Sequence, residues 1–287
     1  MKKLIGLTLA MVVSAFSLYA QQKGNSLLWE VSGNGLEQSS YVYGTFHLLC
    51  PDDLSLSKKV KTAIDESEQL VLELDFDDPN MMQTLQQSMV YRDGTTAKDY
   101  LNEDDYKLLA GFFKDSLNMP FQRLQGIKPF FLSSMTLQHF LGCRPASFEQ
   151  RLTKAAKSKN MEVKGLETVE EQLGFIENLS MELKTKMLME NLKEYEKSKK
   201  MFNRMIGYYR NENLNGLNSI TEEYMSEEYA HLKQDLLIKR NQRWVPRIRE
   251  LAKKKASFIA VGASHLPGKH GILQLLRDSG YTVQPVR

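Results

Sequence analysis

Cysteine is nearly absent: only Cys50 and Cys143 occur in 287 residues, neither in a C-x-x-C pair nor beside a histidine. Nothing in that pattern points to thiol catalysis. Missing too are the fingerprints of P-loops, G-x-S-x-G hydrolases, H-E-x-x-H metalloproteases and dinucleotide-binding Rossmann units. After residue 20 no apolar run is long enough to span a bilayer. Neither sign of charge dominates, since 38 Lys and Arg face 35 Asp and Glu. Without Lys2 and Lys3, which lie in a segment read below as removable, the balance is 36 against 35, and no electrostatic footprint for nucleic acid remains. Proline is also sparse, with 8 residues, and no Pro/Gly/Ser-rich linker divides the chain, which points to one domain over 21–287.

What is present is globular usage: 42% hydrophobic and 25% charged residues are enough to bury a sizeable core. The first 20 residues carry Lys2 and Lys3, an apolar stretch from Leu4, and small residues ending at Ala20. That order is a cleavable secretory signal. A permanent anchor is the competing reading, but Thr8, Ser14 and Ser17 interrupt a stretch already short for a span. The chain is thus expected to be exported, periplasmic or extracellular, without stable membrane insertion after signal removal. An oxidising compartment lets Cys50 and Cys143 pair in a disulfide, with two buried free thiols as the alternative.

The patterning predicts a hairpin over Leu27 to Phe46, a helix over 53–67, and a buried strand at QLVLELDF. Helices are predicted from Asn80 to Tyr91, Glu103 to Ser116 and Pro129 to Leu141, a helix start at Ser147, and a strand at MEVKGLE. From Thr168 to Lys255 the pattern is almost wholly helical, with Pro246 expected to kink or restart a helix. ASFIAVGASH and YTVQPV then read as strands flanking a helix. The expected fold class is α/β with an α+β tendency: a small central β-sheet, its strands from both ends of the chain, under a large helical layer or cap.

The chain's two ends echo each other. YVYGTFHLLCP at 41–51 and IAVGASHLPG at 259–268 are apolar strands ending in G-x-x-H-L, and they hold two of only five histidines. Gly44 and Gly262 permit a sharp turn at the strand end, letting His47 and His265 point into a crevice of the kind where open α/β sheets bind ligands. Glu73 in VLELD is a carboxylate inside an otherwise buried strand, a costly placement unless a metal or a cation compensates it. Two imidazoles and one carboxylate suit a hydrolytic metal with an open position for water. Structural histidines, and a Glu73 paired simply with an arginine, are the plainer alternatives. His139 reads as packing, and His231 and His270 as solvated residues.

These residues bring out a resemblance. YGTFH, VLELD, KGLETVEEQL, KRNQRW and VGASHLPG, in this order, resemble the TraB/GumN family, which includes the Tiki-like metalloproteases. The resemblance implies a metal-dependent hydrolase, peptidase in the Tiki branch, with His47, Glu73 and His265 as ligands of one divalent ion (Mn, Co or Zn). It also implies a role near the site for Arg240, as an oxyanion stabiliser or an orienter of Glu73, and for Asn241. Glu167 is expected behind the ligands or in a structural role at its helix start. The expected partner is a peptide or small-molecule substrate. The alternative is a non-catalytic periplasmic protein whose crevice holds a peptide or haem-like ligand.

Overall fold

The opening apolar alternation folds as a hairpin, because Gly33, Asn34 and Gly35 all take positive φ and let β1 (Leu28–Ser32) and β2 (Ser40–Thr45) pair antiparallel. Residues 25–225 and 229–287 are described in this computed structural model, so the expected signal, 1–20, lies outside the described residues. After β2 come the two-residue β3 (Leu48–Leu49), α1 (Lys58–Asp65), which buries Val60, Ala63 and Ile64, and the fully buried β4 (Gln69–Leu72). Helices α2 (Met81–Ser88), α3 (Ala97–Tyr100), α4 (Glu103–Leu117) and α5 (Pro129–His139) follow. Asn102 caps α4 by accepting from the Asp105 N–H, and Pro129 opens α5 where its missing N–H is harmless.

The short β5 (Ala146–Ser147) leads into α6 (Phe148–Lys157), capped by Ser147, and then β6 (Glu162–Gly165). Thr168 and Glu171 form a capping box on α7 (Val169–Glu177). Next come α8 (Met181–Lys193), α9 (Tyr195–Arg210), α10 (Leu214–Tyr224), α11 (Ala230–Lys233) and α12 (Lys239–Lys254). β7 (Ser257–Gly262), α13 (Ile272–Asp278) and β8 (Thr282–Pro285) finish the chain. The sheet has six strands in the order β6-β4-β7-β2-β1-β8, so strands from both ends of the chain do share it, as expected for this α/β class.

Pro246 does not restart the helix. α12 runs through it from Lys239 to Lys254, held by buried Trp244, Val245 and Ile248. Both Pro246 and Gln242, whose carbonyl loses its helical donor, are exposed, so water can replace that bond.

The helical layer packs in parts. α1, α6, α9, α10, α12 and α13 contribute to the core built on the sheet. Leu109, Phe113, Phe121, Leu132 and Leu188 form a second cluster among α4, α5, α8 and the turn after α4. A third joins Leu74 and Met81 to Val169, Leu173 and Ile176 of α7.

Four neighbouring strands, β6, β4, β7 and β2, run parallel, so their carboxyl ends share one edge. Beyond those ends the chain places Glu167, Glu73, His265 and His47 respectively. Ligands bind at such edges in open α/β sheets.

Cys50 and Cys143 are joined in a disulfide with Cα atoms 5.9 Å apart. It lies next to the antiparallel β3–β5 pair, where Leu48 faces Ser147 and Leu49 faces Ala146. Because the bond closes a separation of 93 residues, replacing both cysteines by serine should remove about 2–4 kcal/mol of stability, mainly by freeing the unfolded chain. Urea unfolding of both proteins, without reductant, measures this; an unchanged midpoint would contradict it.

Candidate active site

Two buried carboxylates share one guanidinium at the strand edge. Arg240 Nη2 donates to Glu73 Oε2 and to Glu167 Oε1, both at 2.6 Å, and Nε donates to Glu167 Oε1 at 3.0 Å. Nη1 donates to the Leu236 carbonyl at 3.1 Å and rests 3.2 Å from His265 Nε2. All five N–H groups of Arg240 therefore have protein partners, and its Cζ lies 4.4 Å from the centroid of the Trp244 ring. Glu167, with no side-chain exposure, also accepts from Arg243 and from the Trp244 indole, both at 3.1 Å. Gln172 bridges the two acids, donating to Glu73 Oε2 and Glu167 Oε1 at 3.1 Å each. Backbone bonds from Leu166 to Leu72 and from Glu167 to Glu73 continue the β4–β6 pairing past the strand ends, which keeps the two acids side by side.

Glu73 Oε1 accepts the Gly262 N–H at 2.8 Å. Burial works against its charge, but Arg240 first, then the two histidines and the Gly262 amide, bring its pKa down to about 2. Asn241 fixes His265. Its Nδ2 donates to the carbonyls of His265 (3.2 Å) and His270 (2.8 Å), so its Oδ1, 2.6 Å from His265 Nδ1, must accept that ring proton. The Nε2 lone pair of His265 then faces Arg240 and, at 3.9 Å, Glu73 Oε1. Burial is the main reason His265 stays neutral, with a pKa near 3; Glu73 opposes this, while Arg240 and His47 reinforce it.

His47 differs, with 62% of its side chain exposed. Its Nδ1 lies 2.8 Å from Glu149 Oε1. Loss of water opposes its charge, but the Glu149 hydrogen bond and the charges of Glu73 and Glu149 outweigh that and raise the pKa to about 9.

The missing side chain of Gly262 marks where these groups meet. A Cβ there would lie 3.3 Å from Glu73 Oε1, 3.5 Å from His265 Cδ2 and 3.6 Å from His47 Nε2. A Cβ on Gly44 would lie 3.1 Å from Ala263, so the two G-x-x-H turns pack directly on each other. His47, Glu73, Gly262, His265, Glu167, Arg240 and Asn241 thus belong to one crevice, with Gly44 as its wall. Arg240 is buried. His139 packs between Phe112 and Tyr195, and His231 and His270 are exposed. Glu149, Arg243 and Trp244 escaped the sequence reading as site residues; Glu149 resembles an ordinary carboxylate in a helix's first turn. A cavity of about 510 Å³ walled by residues such as Tyr100, Asp105 and Met189 contains none of these side chains. Convergence of polar groups, not volume, therefore defines the crevice.

The donor types fit a divalent ion: one imidazole nitrogen, of His47, one carboxylate oxygen, of Glu73, and the Cδ2 edge of the His265 ring border the space beside Gly262, and a fixed tautomer gives His265 Nε2 a lone pair 3.9 Å from that carboxylate oxygen. The geometry is not closed around such an ion. No group of three or more His, Cys, Asp or Glu among the described residues is gathered as a metal site, and Arg240 Nη1 lies on the His265 lone pair.

The same pKa shifts set how stability changes with pH. Glu73, at about 2 against an ordinary 4.5, stabilises the fold above pH 4.5 and stops doing so as pH falls through 2. His265, at about 3 against 6.5, resists a proton that the unfolded chain accepts, so stability also falls below pH 6.5. His47, at about 9, stabilises most below pH 6.5 and loses this contribution as pH rises through 9. The crevice should favour folding most near pH 6.5, with a shallower alkaline limb because exposed His47 is screened by water. Urea midpoints from pH 3 to 10 measure this, and in His47→Ala the alkaline limb should flatten.

The fold and crevice define an α/β protein that collects histidines and carboxylates at parallel strand ends. The chain belongs to the TraB/PrgY/gumN family, whose model matches residues 27–285. It is similar to the metalloprotease TIKI2 of Danio rerio, 24% identical over 322 residues covering 92% of this chain and 62% of that protein. TIKI2 of Xenopus tropicalis is 24% identical, covering 92% and 60%, and TIKI1 of the same species is 22% identical, covering 92% and 62%. The chain therefore spans about three fifths of the length of the curated relatives it matches. No solved structure matches it. No helix among the described residues is long and apolar enough to cross a membrane.

Proposed function

We propose that this chain is an exported metal-dependent hydrolase, a Tiki-like peptidase, with His47, Glu73 and His265 holding one divalent ion, Mn, Co or Zn. The convergence of His47 Nε2, Glu73 Oε1 and the His265 ring on the space beside Gly262 carries this reading. Such an ion supplies Lewis acidity towards water and a peptide carbonyl. The protein's part is preorganisation. Arg240 keeps Glu73 ionised and aimed, Asn241 fixes the tautomer that leaves a lone pair on His265 Nε2, and His47 is the solvent-exposed member of the three. With Nε and Nη2 engaged by Glu167 and Glu73, we take the role of Arg240 as positioning Glu73; its Nη1 contact with His265 Nε2 is the one that ion binding would have to displace. Export is supported by the signal-like first 20 residues and by the disulfide.

The test is metal analysis of protein stripped and reloaded with Mn, Co or Zn, paired with an unbiased peptide-cleavage screen. Uptake of one equivalent, lost in His47→Ala and His265→Ala together with cleavage, is the expected result. A second reading, a non-catalytic crevice for a peptide or haem-like ligand, is favoured by the guanidinium resting on His265 Nε2. Metal-free protein that binds peptides without cleaving them, under metal-replete conditions, would replace the first reading with the second.

A further inference from the structure

Of the three donors, Glu73 and His265 are locked by burial, with side-chain exposures of 7% and 5%, while His47 has 62% of its side chain in solvent. An exposed ring gains little from packing and keeps its rotameric freedom unless something else orders it. What orders it is Glu149. Glu149 Oε1 lies 2.8 Å from His47 Nδ1, and the carboxylate is itself fixed, accepting from Ser147 Oγ at 2.6 Å and from Thr45 Oγ1 at 3.4 Å. Its side chain is only 8% exposed, and it sits in the first turn of α6, where a helix favours an anion.

The surroundings hold the two partners in register. Immediately after His47, Leu48 pairs with Ser147 and Leu49 with Ala146, and Cys50 is then bonded to Cys143. The segments 47–50 and 143–149 thus form a clamp: disulfide at one end, two-residue ladder in the middle, His47–Glu149 contact at the other.

We propose that Glu149 is a positioning residue for His47, and that the β3–β5 pair with its disulfide exists at this place to hold carboxylate and imidazole together. The carboxylate binds Nδ1–H and leaves Nε2 turned towards Gly262. Its consequence for metal affinity rests on the function proposed above; the ordering of the ring does not.

The test compares wild type, Glu149→Gln, Glu149→Ala and a Cys50→Ser/Cys143→Ser double variant. ¹⁵N spectra of the metal-free proteins read the His47 ring, and titration with Zn²⁺ or Mn²⁺ against a chelating dye reads affinity. Wild type should show a protected Nδ1 proton and one ring orientation. Glu149→Ala should lose both and weaken metal binding about 10- to 100-fold, as removal of a ligand's outer hydrogen-bond partner does. Glu149→Gln, which still offers an acceptor oxygen, should fall between them, a graded rescue that general loss of stability would not give. The double-cysteine variant should show partial averaging of the His47 ring. If Glu149→Ala fails to fold, the Gln and double-cysteine variants decide the matter. An unchanged His47 signature in every folded variant overturns the proposal. If wild type binds no metal, the metalloenzyme reading fails while the ring signature still decides this one.

Discussion

Replacing Arg240 by alanine should destabilise the protein by about 3–5 kcal/mol, the range for removing one partner from a buried ionic group. The guanidinium is the shared counter-ion of Glu73 and Glu167, which are 5% and 5% exposed, and without it two carboxylates face each other in a site with little water. Gln172 can donate to both, but an amide carries no charge with which to balance them. Arg243 still reaches Glu167, so Glu73 should suffer more. Arg240→Lys should recover only part of the loss, since one ammonium cannot reproduce contacts made separately by Nε, Nη1 and Nη2. Urea unfolding at pH 7 measures the effect, and acid provides the control. Stripped of its cation, Glu73 should take up a proton more readily, so the gap between wild type and variant should narrow as pH falls towards 4.5. A constant gap at all pH values would mean that Arg240 stabilises through its contact with Trp244 and not through charge.

The parts of this molecule legible in the sequence are those with local periodicity. The G-x-x-H-L echo at Gly44 and Gly262 marked two strand ends, and the structure makes those strands, β2 and β7, direct parallel neighbours. Glu73 drew attention because a carboxylate stood in a buried strand, and its arginine partner proved to be the plain compensation anticipated as one alternative. The restart expected at Pro246 does not occur because the carbonyl that loses its donor lies on an exposed helix face, where water can replace the bond. Glu149 was invisible for a different reason. Its partner His47 is 102 residues away, and the pairing exists only because β3 and β5 meet. Long-range pairings of this kind have no local signature in a single sequence. The subdivision of the helical layer was hidden likewise, since the stripe that packs on a sheet looks like the stripe that packs on another helix.

Alanine at the two motif glycines should separate architecture from chemistry, because the same G-x-x-H pattern uses its glycine in opposite ways. At Gly44 a methyl group would lie 3.1 Å from both the Cα and the Cβ of Ala263 and 3.3 Å from Leu266. Backbone on one side and a fully buried leucine on the other leave little room to give, so Gly44→Ala should cost about 1–3 kcal/mol by overpacking. Gly262 has φ −51° and ψ 133°, which alanine adopts without strain, and a methyl there would meet one tight contact, Glu73 Oε1 at 3.3 Å, with His265 Cδ2 at 3.5 Å and the exposed His47 at 3.6 Å. Gly262→Ala should therefore fold and cost less stability than Gly44→Ala. Yet that methyl would fill the space shared by Glu73 Oε1, His47 Nε2 and the His265 ring. If metal and substrate meet there, uptake and turnover should fall on the order of 100-fold or more, the scale of loss when reacting groups are displaced by about 1 Å. Thermal melting, metal content and peptide cleavage on the same samples supply the three readouts. A Gly262→Ala protein that is stable and fully active would place the chemistry elsewhere in the fold and leave the two echoing turns with a packing role alone.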